Sequence, residues 1–146
     1  MSDAFDRERA VALDAVRSAA MLCQAVQSDL DAGVLEKEDR TPVTVADFGS
    51  QALICKVLQD RFPADPVIAE EDSSALVDPG NKAILEQVVE RVQAQVPQAN
   101  DELVRAWIDH GNHAAYSDRF WTLDPIDGTK GFVRGDQYAI ALALIV

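Results

Sequence analysis

The sequence predicts a layered α/β domain in which long helices pack on one sheet, and three observations carry that prediction. Apolar residues recur at helical spacing over long stretches, short apolar runs end abruptly in carboxylates, and "YAIALALIV" is an unbroken apolar run of strand type. Helices and strands that alternate in this way bury one face each against a shared core. A chain of 146 residues, 48% of them hydrophobic, has the size and composition of one such domain.

Taken in order, Leu13, Val16, Ala20, Cys23, Val26 and Leu30 are spaced by three and four and predict a long amphipathic helix from about Asp3 to Leu30. Gly33 breaks that pattern, a short strand is predicted over Val34 to Lys37, and the chain turns through charged residues to Thr41-Pro42. Thr44 with Asp47 three residues on has the form of a capping box, opening a second helix through Phe48, Leu53 and Leu58 to Phe62, where Pro63 and Pro66 stop it. "PVIAEED" predicts a buried strand that delivers Glu70, Glu71 and Asp72 to its C-terminal end. Leu85, Val88, Val89, Val92 and Val96 mark a third helix, closed by Pro97. No regular element is predicted for "ELVRAWIDHGNHAAYSDR". The strands "FWTLD" and "YAIALALIV" complete the plan.

Composition excludes some functions. A net charge of -12, from 25 acidic against 13 basic residues, does not suit a nucleic-acid polymer, whose backbone needs clustered Lys and Arg. A small phosphorylated substrate remains compatible, because cations held by carboxylates can supply the positive charge. Cys23 and Cys55 lie among apolar neighbours, outside any C-x-x-C pair, and are expected as buried reduced thiols. The polar start "SDAFDRER" has no secretory pattern, and no apolar run reaches the ~18 residues of a membrane span, so a soluble cytoplasmic protein is expected. The apolar run up to Val146 predicts a chain that stops inside a strand, with an exposed edge open to self-association.

The chemistry concentrates in "DPIDGT". Pro125 keeps Asp124 extended, Ile126 can plug into the core, and both Asp124 and Asp127 can then be aimed into one space. Gly128 permits close backbone approach, and Thr129 offers a hydroxyl at a helix start whose exposed amides suit a phosphate. Hard divalent cations, Mg²⁺ in particular, prefer carboxylate, carbonyl and water oxygens. Glu70 from one strand end and Asp124 and Asp127 from another can share two such ions, roughly 4 Å apart, in an in-line phosphoryl displacement. Taken singly, Glu70, Glu71 and Asp72 also fit a solvated strand end, and Asp47 a helix cap. His110 and His113 have zinc-like spacing without a cysteine or acidic partner and read as loop residues. Lys130 and Arg134 read as solvent-facing or ion-paired, Trp107 and Trp121 as core or edge aromatics.

"WTLDPIDGTKGFVRGDQYAIALALI" resembles the D-P-[IL]-D-G-T motif of the inositol monophosphatase-like superfamily of lithium-sensitive, Mg²⁺-dependent phosphatases. Inositol monophosphatases usually continue that motif with Thr-Asn-Phe, whereas Lys130-Gly131-Phe132 is similar to the 3'(2'),5'-bisphosphate nucleotidase branch. "TPVTVADFGSQALI" and "VIAEED" match the other two N-terminal motifs in order, with Ala69 where the family usually has Gly. The resemblance implies a sugar-phosphatase-like α+β fold with a mostly antiparallel sheet. It implies metal binding by the carboxylates of Glu70, Asp124 and Asp127 and by the Ile126 carbonyl, with Glu71 as a supporting acid behind them. Asp47 and Thr129 would orient and help deprotonate the attacking water, and the Gly128 and Thr129 amides would hold the scissile phosphate. It further implies that residues 1–146 form the N-terminal metal-binding half of such a phosphatase. The second half would carry a third metal-binding aspartate and most nucleotide contacts, for two or three Mg²⁺ ions in all. The implied reaction is removal of the 3'-phosphate of adenosine 3',5'-bisphosphate, giving AMP and phosphate, with 3'-phosphoadenylyl sulfate as a second substrate. An inositol phosphate phosphatase and a non-catalytic metal-binding fragment are the alternatives.

Overall fold

A computed structural model describes residues 3–33 and 40–146. Five helices and a three-stranded sheet follow one another as α1 (Asp6–Asp31), α2 (Thr41–Arg61), β1 (Val67–Ala69), α3 (Lys82–Gln93), α4 (Asp101–Asp109), β2 (Phe120–Asp127), α5 (Thr129–Arg134) and β3 (Ala139–Ile145). The helix-and-sheet class is as predicted. The strand predicted over Val34 to Lys37 lies outside the described residues.

The burial pattern of α1 is rotated from the predicted one. Val11, Ala15, Ala19, Leu22, Cys23, Val26 and Leu30 are buried, while Leu13 is exposed. The inner stripe combines the small Ala15 and Ala19 with Leu22 and Leu30, and Leu13 falls on the outer face. α2 begins earlier than the Thr44–Asp47 pair suggested. Pro42 occupies its first turn, where a fixed φ and a missing N–H cost nothing, and Thr44 Oγ1 donates back to the Arg40 carbonyl at 3.0 Å. Asp47 therefore stands inside the helix, free of capping work. Because α2 is buried on nearly all sides, it forms the centre of the molecule. Ile54, Cys55 and Leu58 face the sheet, while Phe48, Ala52 and Leu53 share a second core with α3 and α4.

The stretch with no predicted element contains α4. Asn100 caps it, its Oδ1 accepting from the Leu103 amide at 2.8 Å, and Val104, Trp107 and Ile108 supply a short apolar stripe. Beyond it, Ala69 N donates to Gly111 O and His113 N to Val67 O, with a bridge between Ile68 and Asn112. This pairing occupies the outer edge of β1.

The sheet runs β1-β2-β3, with β1 parallel and β3 antiparallel to the central strand β2. Val67, Trp121 and Leu123 point to the helices, whereas Ile68, Ala141, Ala143 and Ile145 are exposed on the opposite face. The start of β2 is tied down by Asp65, which accepts from Arg119 Nε at 2.9 Å and Trp121 Nε1 at 3.0 Å. Both cysteines are free and buried, and burial pushes their thiols up to about 11 for Cys23 and about 12 for Cys55. Among the described residues, no helix is long and apolar enough to cross a membrane.

Candidate active site

β1 and β2 are parallel neighbours, so their carboxyl ends lie on the same edge of the sheet, the usual position for a ligand crevice. The register pairs Ala69 with Leu123. The next residue on each strand is an acid, Glu70 and Asp124, and parallel pairing sets the two side by side.

Asp127 reaches the same place through a bulge. In a regular strand, residues three apart point to opposite faces. Here Asp124 pairs with Ala141 and Asp127 with Ala139, so three steps along β2 match two along β3. The additional residue restores the parity and puts both aspartates on one face. Pro125 cannot donate to the ladder, and Pro125 and Ile126 are buried in succession, which is where the alternation breaks. Ile126 is 3% exposed and anchors the bulge in the core, as the sequence suggested.

The strand then enters α5 through Gly128, whose φ of +91° lies in the left-handed region. Thr129 is the first residue of the helix and is exposed. Phe132 is fully buried, meets Tyr138 edge-on at 5.1 Å, and its carbonyl accepts from Gln27 Nε2, so α5 is held to α1 and to the chain leading into β3. Among the described residues, no hydrogen bond joins Thr129 to Asp47.

Electrostatically, these acids form one group. Burial, a hydrogen bond with Asp124, and the charges of Asp124 and Asp127 raise the Glu70 carboxyl above its ordinary range. Burial, then Glu70 and Asp124, raises Glu71. Asp47 is pushed up to about 8, first by burial and then by Glu71, Glu70 and Asp124. Crowded carboxylates that lack a counter-charge hold protons in this way. Oδ1 of Asp47 and Oδ1 of Asp124 are both buried without a hydrogen-bond partner.

Orphaned carboxylate oxygens in a cluster that repels further negative charge match the donor chemistry of a hard divalent cation. Among the described residues, no three acidic, histidine or cysteine side chains already enclose one ion. Glu70, Glu71, Asp124, Asp127 and Asp47 are thus gathered at one edge, while the finer ligand geometry is not preassembled.

The histidines lie elsewhere. His110 closes α4 and His113 pairs with β1 through its backbone, both lining a groove of about 410 Å³ with Asp65 and Asp109. Those two aspartates are engaged, Asp65 by Arg119 and Asp109 by the Ser73 amide and hydroxyl. Trp107 and Trp121 are core residues at 7% and 2% exposure, and Lys130 and Arg134 are exposed.

One residue at this site went unread in the sequence. Gln51 is fully buried on α2, a turn beyond Asp47, and its amide bonds to the backbone of Glu71. The available signal was a polar side chain directly before the apolar stretch Ala52-Leu53-Ile54-Cys55.

The profile of the inositol monophosphatase family matches residues 6–146. A 3'(2'),5'-bisphosphate nucleotidase of Schizosaccharomyces pombe is 44% identical over 157 aligned residues, which cover 97% of this chain and 44% of that protein. A 3'(2'),5'-bisphosphate nucleotidase of Oryza sativa is 47% identical over 153 residues, covering 97% and 43% respectively. The 3'(2'),5'-bisphosphate nucleotidase 1 of Arabidopsis thaliana is 43% identical over 155 residues, covering 97% and 44%. The chain spans less than half the length of these curated relatives. With the family profile matched along almost its entire length, the chain belongs to the inositol monophosphatase family.

Proposed function

We propose that this chain is the N-terminal, metal-binding half of a Mg²⁺-dependent phosphatase that removes the 3'-phosphate of adenosine 3',5'-bisphosphate. The observation that carries the reading is the convergence of Glu70 on Asp124, with Asp127 brought to the same face by the bulge. The names of the relatives support the choice of a nucleoside bisphosphate, and 3'-phosphoadenylyl sulfate is the second substrate of the same chemistry.

In this reading, the carboxylates of Glu70, Asp124 and Asp127 and the Ile126 carbonyl hold the cations, and Glu71 supports them from behind. Bound Mg²⁺ supplies positive charge that polarises water and offsets the charge developing on the phosphoryl oxygens. Asp47 and Thr129 orient the attacking water, and Asp47 takes its proton in the ionised form that the positive charge of bound cations would favour. The Gly128 and Thr129 amides hold the scissile phosphate. The water oxygen forms the new bond to phosphorus as the bond to the 3' oxygen breaks. The departing 3' oxygen takes up a proton from solvent, to which Asp47 returns the one it accepted, so the products are AMP and inorganic phosphate.

Phosphate release by the complete protein, measured in parallel on adenosine 3',5'-bisphosphate and inositol 1-phosphate with Mg²⁺, tests the assignment. Preference for the nucleotide is expected. Activity confined to the inositol ester would replace it with an inositol phosphate phosphatase, and no turnover on either substrate would leave a cation-binding fragment.

A further inference from the structure

The acidic turn after β1 is gripped by a single side chain. Gln51 Oε1 accepts the Glu71 amide at 2.9 Å, while Gln51 Nε2 donates to the Glu71 carbonyl at 2.7 Å and to the Ile108 carbonyl at 2.9 Å. A primary amide has two N–H donors and one carbonyl, and here both ends are used. The orientation of the amide is fixed by its partners, since the reversed amide would set its oxygen against two carbonyls and its NH₂ against an N–H. One side chain thus pairs with both backbone groups of Glu71, as a neighbouring strand would.

Gln51 is fully buried. An amide in that position is costly unless its hydrogen bonds are made, and an apolar side chain would fill the same space without that requirement. What the amide adds is direction. It joins the helix that carries Asp47, the turn that carries Glu70 and Glu71, and the C-terminus of α4 at Ile108. Gly111 closes the junction, because a Cβ there would lie 2.6 Å from the Ala69 Cβ and 3.0 Å from Gln51 Nε2.

We propose that Gln51 is a positioning residue for the cation site. By fixing the backbone of Glu71, it presents the preceding Glu70 carboxylate to the strand end bearing Asp124 and Asp127, and so sets the affinity for a divalent cation. The inference rests on the reading of this edge as a cation site. Residues that hold a ligand in place from behind typically change metal affinity by roughly 10–100-fold when removed.

The test is Mn²⁺ binding by titration calorimetry, together with hydrogen exchange of the Glu71 amide, on the wild type, Gln51→Met, Gln51→Asn and Ile54→Val. Gln51→Met removes all three hydrogen bonds at similar volume. Gln51→Asn retains an amide too short to span both partners, and covers the case in which the Met variant fails to fold. Ile54→Val trims the same helix on its sheet-facing side. Mn²⁺ affinity is expected to fall about 10-fold or more in the Gln51 variants, with faster exchange at Glu71, and to stay at the wild-type value in Ile54→Val. Affinity within twofold of wild type in a Gln51 variant whose Glu71 amide has lost protection would overturn the positioning role alone. A wild type that takes up no Mn²⁺ would overturn the cation reading and this inference with it.

Discussion

Asp47 makes stability depend on pH in a direction opposite to that of an ordinary paired carboxylate. Its folded-state value of about 8 stands above its ordinary value of 3.8, so between these limits the folded chain holds a proton that the unfolded chain releases. That contribution is complete below about pH 4 and is lost as pH rises through 8; Glu70 and Glu71 are shifted in the same direction. In EDTA, the thermal midpoint should therefore fall from pH 5 to pH 8, and Asp47→Asn should shrink that fall. Mg²⁺ at about 100 times its dissociation constant should restore roughly 2.7 kcal/mol at pH 8, and less at pH 5, where protons compete for the same oxygens. Gly128 offers a second test at this scale. An alanine there must adopt a φ of +91° at a cost of about 1–2 kcal/mol, and should lower the unfolding midpoint measurably. The acids themselves were legible in the sequence because residue type and the DPIDGT spacing are local. That Asp124 and Asp127 can be aimed into one space was legible through Pro125 and Ile126, but the bulge that does it was not, because the parity depends on how β3 pairs across it.

Among the elements, α4 shows most clearly what a sequence conceals. Its nine residues put Asp101, Glu102, Arg105 and Asp109 on one face and Val104, Trp107 and Ile108 on the other, but two turns repeat that period too few times for it to stand out in the sequence. Yet α4 supports the site, supplying the Ile108 carbonyl to Gln51 and the Asp109 carboxylate to Ser73. Asn100→Ala should cost about 1 kcal/mol through the lost cap, read from denaturant unfolding. Gly111→Ala should cost more, about 1–3 kcal/mol, because its Cβ meets the Ala69 Cβ and neither atom can swing away. If Gly111→Ala unfolds at the wild-type denaturant midpoint, the close junction between α4 and β1 is wrong. The start of α2 was misread for a related reason. Thr44 and Asp47 satisfy a capping pattern, but Pro42 had already set the first turn.

For the whole molecule, the order of elements followed from periodicity, whereas strand order and the parallel pairing of β1 with β2 did not, because they are decided by contacts across some fifty residues of chain. The consequence for function lies in that pairing: it brings two carboxyl strand ends together beside the N-terminus of α5, with α2 passing Asp47 and Gln51 behind them. Every functional step proposed here needs that edge to be a cation-dependent phosphate site. The most direct measurement follows adenosine 3',5'-bisphosphate by ³¹P NMR with the complete protein, for wild type and Asp127→Ala. With Mg²⁺, the wild type should lose the 3'-phosphate resonance and gain inorganic phosphate while the 5'-phosphate persists. EDTA should stop this, and Asp127→Ala should slow it at least 100-fold, the loss of about 2.7 kcal/mol in transition-state stabilisation. Phosphate release that continues unchanged in EDTA or in Asp127→Ala, or no release at all, would contradict the account.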